Sequence, residues 1–141
     1  MTRPLKILRI ICNMGNYLLD THAAIWFLNG DTALSQTAKQ IILDPSNNKY
    51  ISIASAWELA IKISLGKLKF NGKSAGFIQL AQNNGFIFIP IDAVHLTIVE
   101  GLPSIHRDPF DRVLIATAIA QQMTLITTDE DIARYSVSQI W

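Results

Sequence analysis

Four carboxylates in this chain have the company and spacing of a catalytic set. They are Asp20 in Leu18-Leu19-Asp20-Thr21-His22, Glu58 in Ser55-Ala56-Trp57-Glu58-Leu59, Asp111 in Asp108-Pro109-Phe110-Asp111-Arg112, and Asp129 in Thr127-Thr128-Asp129. Asp20 and Asp129 directly follow short apolar runs that read as strands, and Glu58 follows one a few residues on. Asp111 opens a helix. In an open parallel sheet, segments leaving the carboxyl ends of strands converge on one crevice. Acids gathered there repel one another unless a cation joins them. Carboxylate oxygens are the ligands that Mg²⁺ and Mn²⁺ prefer, and such an ion activates water and stabilises charge on a phosphoryl group.

Each acid also has a plainer explanation. Asp20 can cap the helix that follows it, and Asp129 the short helix after it. Glu58 can form an i,i+4 surface pair with Lys62, worth a fraction of a kcal/mol. Asp111 can close a capping box with Asp108. The case for a site rests on their joint placement.

Other side chains extend or exclude chemistry. Arg112, beside Asp111, can contact a substrate phosphate or brace a carboxylate. Lys62, Lys67, Lys69 and Lys73 form a stretch without an acid, readable as a solvated face or as a phosphate-tracking patch. His22, His95 and His106 are scattered without His-x-x-x-His spacing, which argues against zinc. His22 and His106 fall near the expected crevice. There is no Gly-rich phosphate loop ending in Lys-Ser/Thr and no Gly-x-Ser-x-Gly elbow, which argues against P-loop hydrolysis and serine hydrolysis.

The elements that must carry these residues alternate. Asn16–Asp20 reads as a buried strand, followed by a helix over Thr21–Leu28 with Thr21 as its cap. Ser35 caps a second helix, with Ala38, Ile41 and Ile42 on one face. Tyr50–Ile53 is a β-branched strand. Ser55 caps the next helix, which runs through Leu65 and stops at Gly66. Trp57, Ile61 and Leu65 form one stripe of it, and Glu58 and Lys62 a neighbouring one. A helix over Ser74–Asn83, a strand over Phe86–Ile89 and a helix capped by Asp92 follow. Asp108 is an N-cap with Pro109 at the first helical position, which places Asp111 in the first turn. Ile115, Ala118 and Ile119 face the core. Leu125–Thr127 is a strand, Glu130–Tyr135 a short helix, and Val137–Trp141 an edge strand. Helices alternating with short apolar strands predict an α/β fold with a mainly parallel central sheet covered on both faces.

With 141 residues, half of them hydrophobic and 16% charged, the chain has the length and apolar content of one folded domain. A net charge of +1 neither requires nor excludes nucleic acid. The single Cys12 excludes an intramolecular disulfide framework and a cysteine zinc site, and fits a reducing, cytoplasmic setting. No apolar run has the length of a membrane span. Residues 1–13 are basic and apolar, but Lys6 and Arg9 interrupt the run and no small-residue cleavage site follows. They read as an extension upstream of a domain over residues 14–141, in preference to an edge strand or arm.

From about Asn16 onward the chain resembles the PIN-domain ribonucleases, specifically the VapC toxins of bacterial toxin–antitoxin pairs. The motifs that carry the resemblance are Leu18-Leu19-Asp20-Thr21-His22, Ser55-Ala56-Trp57-Glu58-Leu59-Ala60-Ile61-Lys62, His106-Arg107-Asp108-Pro109-Phe110-Asp111-Arg112 with Leu114-Ile115-Ala116, and Thr127-Thr128-Asp129. Any one is weak; their order and spacing together are specific. The resemblance implies a three-layer α/β sandwich and one or two Mg²⁺ or Mn²⁺ ions among Asp20, Glu58, Asp111 and Asp129. Asp20 and Asp111 would then be direct ligands, and Glu58 and Asp129 would act through water. Thr21 and Thr127 would brace the carboxylates, and Lys62 and Arg112 would meet the substrate. It further implies cleavage of RNA by metal-activated water, a homodimer, and a cognate antitoxin. The extension before Met14 departs from the family pattern. A PIN-like module that binds nucleic acid without cutting it is the competing expectation.

Overall fold

The computed structural model describes residues 15–141; the expected extension over residues 1–13 and the start at Met14 lie outside them. Five short strands form one parallel sheet: β1 (Asn16–Leu19), β2 (Asn48–Ser52), β3 (Ile87–Ile89), β4 (Thr124–Ile126) and β5 (Gln139–Ile140). The order across the sheet is β3-β2-β1-β4-β5. The helices are α1 (Thr21–Asn29), α2 (Gln36–Leu43), α3 (Ile53–Ser64), α4 (Lys73–Asn83), α5 (Ala93–Gly101) and α6 (Pro109–Gln121).

Both sheet faces are buried because adjacent strand residues point to opposite sides. Leu19, Ile51 and Ile126 pack under Ala23 and Ala24 of α1, Ile42 of α2, Leu59 of α3 and Phe77 of α4. Leu18, Leu125 and Ile89 pack instead under Leu114, Ile115 and Ala118 of α6, together with Ile132 and Tyr135. These two cores make the three layers of the predicted sandwich.

The strand order matters for function. From β1 the chain steps outward one way to β2 and β3, then returns across the sheet to place β4 on the other side of β1. The direction of winding therefore reverses between β1 and β4. At such a switch point the connections leave in opposite directions and open a crevice at the carboxyl ends of the strands. Leu19 is in register with Ile126, so Asp20 and Thr127 emerge side by side at that crevice.

Several local readings are corrected. Asp20, not Thr21, caps α1: its Oδ1 accepts the Ala23 N–H at 2.7 Å. β2 ends at Ser52, whose hydroxyl caps α3 by accepting the Ala54 N–H at 3.0 Å, so the helix starts before Ser55. Both changes follow from a polar side chain at the strand end, Asp20 just past β1 and Ser52 as the last residue of β2, that can take the first free N–H. The earlier start fixes the phase of α3. Ala56 and Leu59 face the core, and at 100° per residue Glu58 turns inward while Trp57 (60% exposed) and Leu65 (61% exposed) face solvent. The Trp57-Ile61-Leu65 stripe is thus an outer face. The expected helix over Glu130–Tyr135 is a single 3₁₀ turn, Ile132–Arg134, and the last strand is Gln139–Ile140 alone. The caps at Ser35 and Asp108, Pro109 at the first position of α6, and the left-handed Gly66 (φ 71°) are as predicted.

The two classes of apolar side chain should separate by stability. Leu18→Ala, which removes a fully buried side chain from the central strand, should cost about 2–5 kcal/mol in urea unfolding. Leu65→Ala, on the outer face of α3, should change stability by less than about 0.5 kcal/mol.

Candidate metal centre

The crevice at the β1/β4 switch point has a volume of about 220 Å³ and is lined by Asp20, Thr21, His22, Glu58, Lys62, Asp108, Asp111, Thr128 and Asp129. All four predicted carboxylates face it. They arrive from four elements: Asp20 from the end of β1, Glu58 from the second turn of α3, Asp111 from the first turn of α6, and Asp129 from the segment after β4.

Each acid is held in place. Asp20, only 9% exposed, is fixed by capping α1. Glu58 is 6% exposed, so its pairing with Lys62 (Oε2 to Nζ, 2.9 Å) is not the surface pair that spacing alone suggested. Thr21 donates its hydroxyl to Glu58 Oε1 at 2.7 Å, and Ser55 Oγ lies 3.0 Å from the same Thr21 oxygen. Thr21 has one proton and a carboxylate only accepts, so Ser55 is the donor of that second pair. Thr127 accepts the Asp129 N–H at 3.0 Å and orients the turn that presents Asp129. Asp108 caps α6, its Oδ1 accepting from Phe110 at 2.8 Å and from Asp111 at 3.3 Å, which aims the Asp111 side chain.

His106 enters the site more deeply than its sequence position suggested. Its Nε2 lies 2.8 Å from Asp129 Oδ2 and 3.0 Å from Asp111 Oδ2. Its Nδ1 accepts the Asp108 N–H at 3.2 Å. Its place in the motif before Asp108 had put it near the crevice, but not in contact with two of the acids. Of the other histidines, His22 lines the crevice and stands 5.7 Å from the Trp26 ring, while buried His95 forms a capping box with Asp92 in α5.

Arg112 does not point at the crevice. Its guanidinium donates to the carbonyls of Val99, Leu102, Pro103 and His106 at 3.0–3.3 Å and to the Tyr135 hydroxyl at 3.3 Å. Those acceptors occupy the fork that a phosphate would need. Lys62, paired to Glu58 at the crevice wall, is the cation the structure does bring to the site.

The electrostatics record the crowding. Burial pushes the Asp111 carboxyl up to about 7, with repulsion from Asp108, Glu58 and Asp20 adding to it and His106 opposing it. Burial also raises Asp20, against hydrogen bonds from Thr127 and Ala23 and the charge of His22. Asp129 is lowered: burial is outweighed by hydrogen bonds from His106 and from the Asp131 N–H. His106 is raised, because its hydrogen bond to Asp129 and the charges of Asp111, Asp129 and Asp108 outweigh its burial.

This donor set fits a hard divalent cation. An oxygen-rich crevice whose buried acid is pushed up to about 7 is short of positive charge, which a cation would supply. The four carboxylates line the crevice without closing to ligand spacing. Among the described residues, the groups with ligand atoms within 4.8 Å of one another are instead His106, Asp129 and Asp131.

Residues 17–137 match the PIN domain family, and the chain belongs to that family. Among solved structures, the chain is similar in fold to VapBC2 of Rickettsia felis bound to a promoter DNA fragment, with a TM-score of 0.68 at 17% identity, covering 89% of this chain and 98% of that one. It is likewise similar to VapC20 of Mycobacterium tuberculosis, a sarcin-ricin loop cleaving toxin (TM-score 0.65, 14% identity, 88% of this chain and 98% of that one). A third is VapBC-1 of nontypeable Haemophilus influenzae (TM-score 0.59, 16% identity, 89% and 96%). No curated protein matches the sequence. Among the described residues, no helix is long and apolar enough to cross a membrane.

The raised acids set a pH dependence. A carboxyl whose folded pKa lies above its unfolded value of about 3.9 contributes stability below that value, which is lost as pH rises through the folded pKa. His106, raised above about 6.5, acts in the same direction. Asp129, lowered, acts only at acid pH. In EDTA, the melting temperature should therefore fall between about pH 5 and pH 8. Asp111→Asn should flatten the part of that fall contributed by Asp111, centred near 7.

Proposed function

We propose that this protein is a divalent-cation-dependent endoribonuclease, the toxin component of a toxin–antitoxin pair. The observation that carries the reading is the crevice itself: four carboxylates fixed on four elements at the β1/β4 switch point, with Asp111 pushed up to about 7. Asp20 and Asp111 are the direct ligands in this reading, and Glu58 and Asp129 act through water. Mg²⁺ or Mn²⁺ bound there would lower the pKa of a water and offset charge on the scissile phosphate.

The chain's own residues do the rest. Thr21 and Ser55 hold Glu58 in one orientation, so its free lone pairs face the crevice. Thr127 sets Asp129, and Asp108 sets Asp111. Lys62 is placed to meet a phosphate oxygen once the Glu58 carboxylate is shared with a cation. Exposed Lys67, Lys69 and Lys73 continue the positive charge from the end of α3 to the start of α4, along which a polyanion can track. Arg112 is left to brace the backbone.

The partners of this reading are RNA, a cognate antitoxin and a second copy of the chain, in the cytoplasm. The solved neighbours support the antitoxin, being VapBC complexes. Exposed Ile53 and Trp57 on α3 and Leu65 just past its end offer the apolar surface such contacts use.

Purified protein should cleave RNA with Mg²⁺ or Mn²⁺ and stop on addition of EDTA. Asp20→Asn should lower the rate at least about 100-fold while leaving the far-ultraviolet circular dichroism unchanged. Full cleavage by a contaminant-free Asp20→Asn protein contradicts the site. Tight RNA binding without cleavage in either metal favours a non-catalytic binding module.

A further inference from the structure

We propose that Tyr135, with Arg112, is a positioning residue of the carboxylate site that acts through His106. The inference rests on the metal-site reading above and extends it beyond the crevice. Tyr135 lies just past the 3₁₀ turn, 29 residues along the chain from His106, and is 6% exposed. Its ring belongs to the core under α6, but its hydroxyl leaves that core to meet the connection from α5 to α6 and the Arg112 guanidinium.

The contacts converge on one residue. The Tyr135 hydroxyl accepts the His106 N–H at 2.8 Å and the Ile105 N–H at 3.2 Å, and donates to the Pro103 carbonyl at 2.7 Å. The Arg112 guanidinium also reaches this hydroxyl, at 3.3 Å, so the phenol's one proton and two lone pairs are shared among the Pro103 carbonyl, the two amides and Arg112. The Arg112 guanidinium donates to the His106 carbonyl at 3.3 Å and to the carbonyls of Pro103, Leu102 and Val99. His106 is therefore pinned at its own N–H and its own carbonyl. Its ring is pinned as well. Nδ1 accepts the Asp108 N–H, which leaves the proton of the neutral ring on Nε2. That proton faces Asp111 and Asp129 together, at 3.0 and 2.8 Å.

Every polar atom of His106 is committed, and the chain of contacts runs from Tyr135 to the two carboxylates. Among the described residues, His106 is the side chain that hydrogen-bonds or ion-pairs with both Asp111 and Asp129. A core tyrosine needs one partner for its hydroxyl; this one takes two amides and a carbonyl from a loop that has no regular hydrogen bonding of its own. Its chemical consequence is a fixed separation between two carboxylates that approach from different elements, which is what a cation site requires of the residues behind its ligands.

The test is Mn²⁺ affinity, read from the free-ion electron paramagnetic resonance signal at pH 8, on the full chain and on Tyr135→Phe, His106→Asn and the double variant. Tyr135→Phe and His106→Asn should each weaken Mn²⁺ about 10-fold, and the double variant should be no weaker than the weaker single, because both act on one path. Ile115→Val, a buried change elsewhere in the same core, should leave Mn²⁺ affinity within about twofold of the parent, which separates positioning from general destabilisation. If Tyr135→Phe does not fold, Arg112→Lys replaces it: an ammonium cannot span the four carbonyls, so the same loss is expected. Wild-type affinity in Tyr135→Phe, or in Arg112→Lys where that variant stands in, overturns the proposal. So does a double variant whose loss is the product of the singles. RNA cleavage measured alongside keeps the two readings apart. A parent that binds Mn²⁺ but does not cut RNA contradicts the nuclease and leaves the cycle to decide Tyr135; a parent that binds no Mn²⁺ overturns both.

Discussion

The carboxylates at the switch point repel one another, and none is free to swing away. Asp20 is bound to the first turn of α1 through the Ala23 N–H. Glu58 is held between Thr21 and Lys62, and Asp129 between His106 and the Asp131 N–H. The cost falls on Asp111, which sits where burial and the charges of Asp108, Glu58 and Asp20 add, and it keeps a proton until about pH 7. A surface protein would relieve such crowding by rotating side chains into water. Here the caps and hydrogen bonds hold the side chains, and the remaining relief is positive charge, which the Nε2–H of His106 supplies in part and a bound cation would supply in full.

The architecture follows from the same constraint. Only at the reversal between β1 and β4 do two strands end together with their following segments diverging. The long return from β3 to β4 then has to deliver α6 with its N-terminus over that gap. Two devices accomplish this. Asp108 and Pro109 start α6 in the phase that points Asp111 inward, and Arg112 ties the preceding connection to the helix it precedes. The helix N-terminus adds its own partial positive charge beside Asp111. The sheet core beneath is built of buried side chains, Leu18, Leu19, Ile51, Leu125 and Ile126 among them, and a close-packed interior lets these surface elements keep fixed separations.

Much of this was legible in the residues, and the exceptions are instructive. Signals that are local in sequence survived: the Ser35 cap, the Asp108-Pro109 start and the left-handed Gly66 depend on backbone groups within a few residues. The start of α3 falls at Ser52 where Ser55 was expected, because the two serines are equally good caps by type. The choice between them is made by where β2 stops pairing with β1 and β3, a tertiary fact. Spacing alone gave the Trp57-Ile61-Leu65 stripe and the Glu58-Lys62 stripe without saying which faces the core, so Glu58 could pass for a surface residue. Arg112 was read by type as a phosphate contact, since a guanidinium advertises its donors but not their direction. His106 was legible as a neighbour of the crevice but not as a link between Asp111 and Asp129, because periodicity does not connect positions 106, 111 and 129. The joint convergence of four acids was legible only as topology, since no pair among them interacts through sequence spacing.

The central claim is that the crevice exchanges a proton for a divalent cation at Asp111. Calorimetric titration with Mn²⁺ in buffers of differing ionisation enthalpy measures that exchange directly. At pH 7, close to the Asp111 value of about 7, binding should release roughly half a proton or more, with His106 adding to it. The release should vanish by about pH 9, and Asp111→Asn should remove its Asp111 share. Mn²⁺ binding at pH 7 without proton release, or release that Asp111→Asn leaves unchanged, contradicts the account.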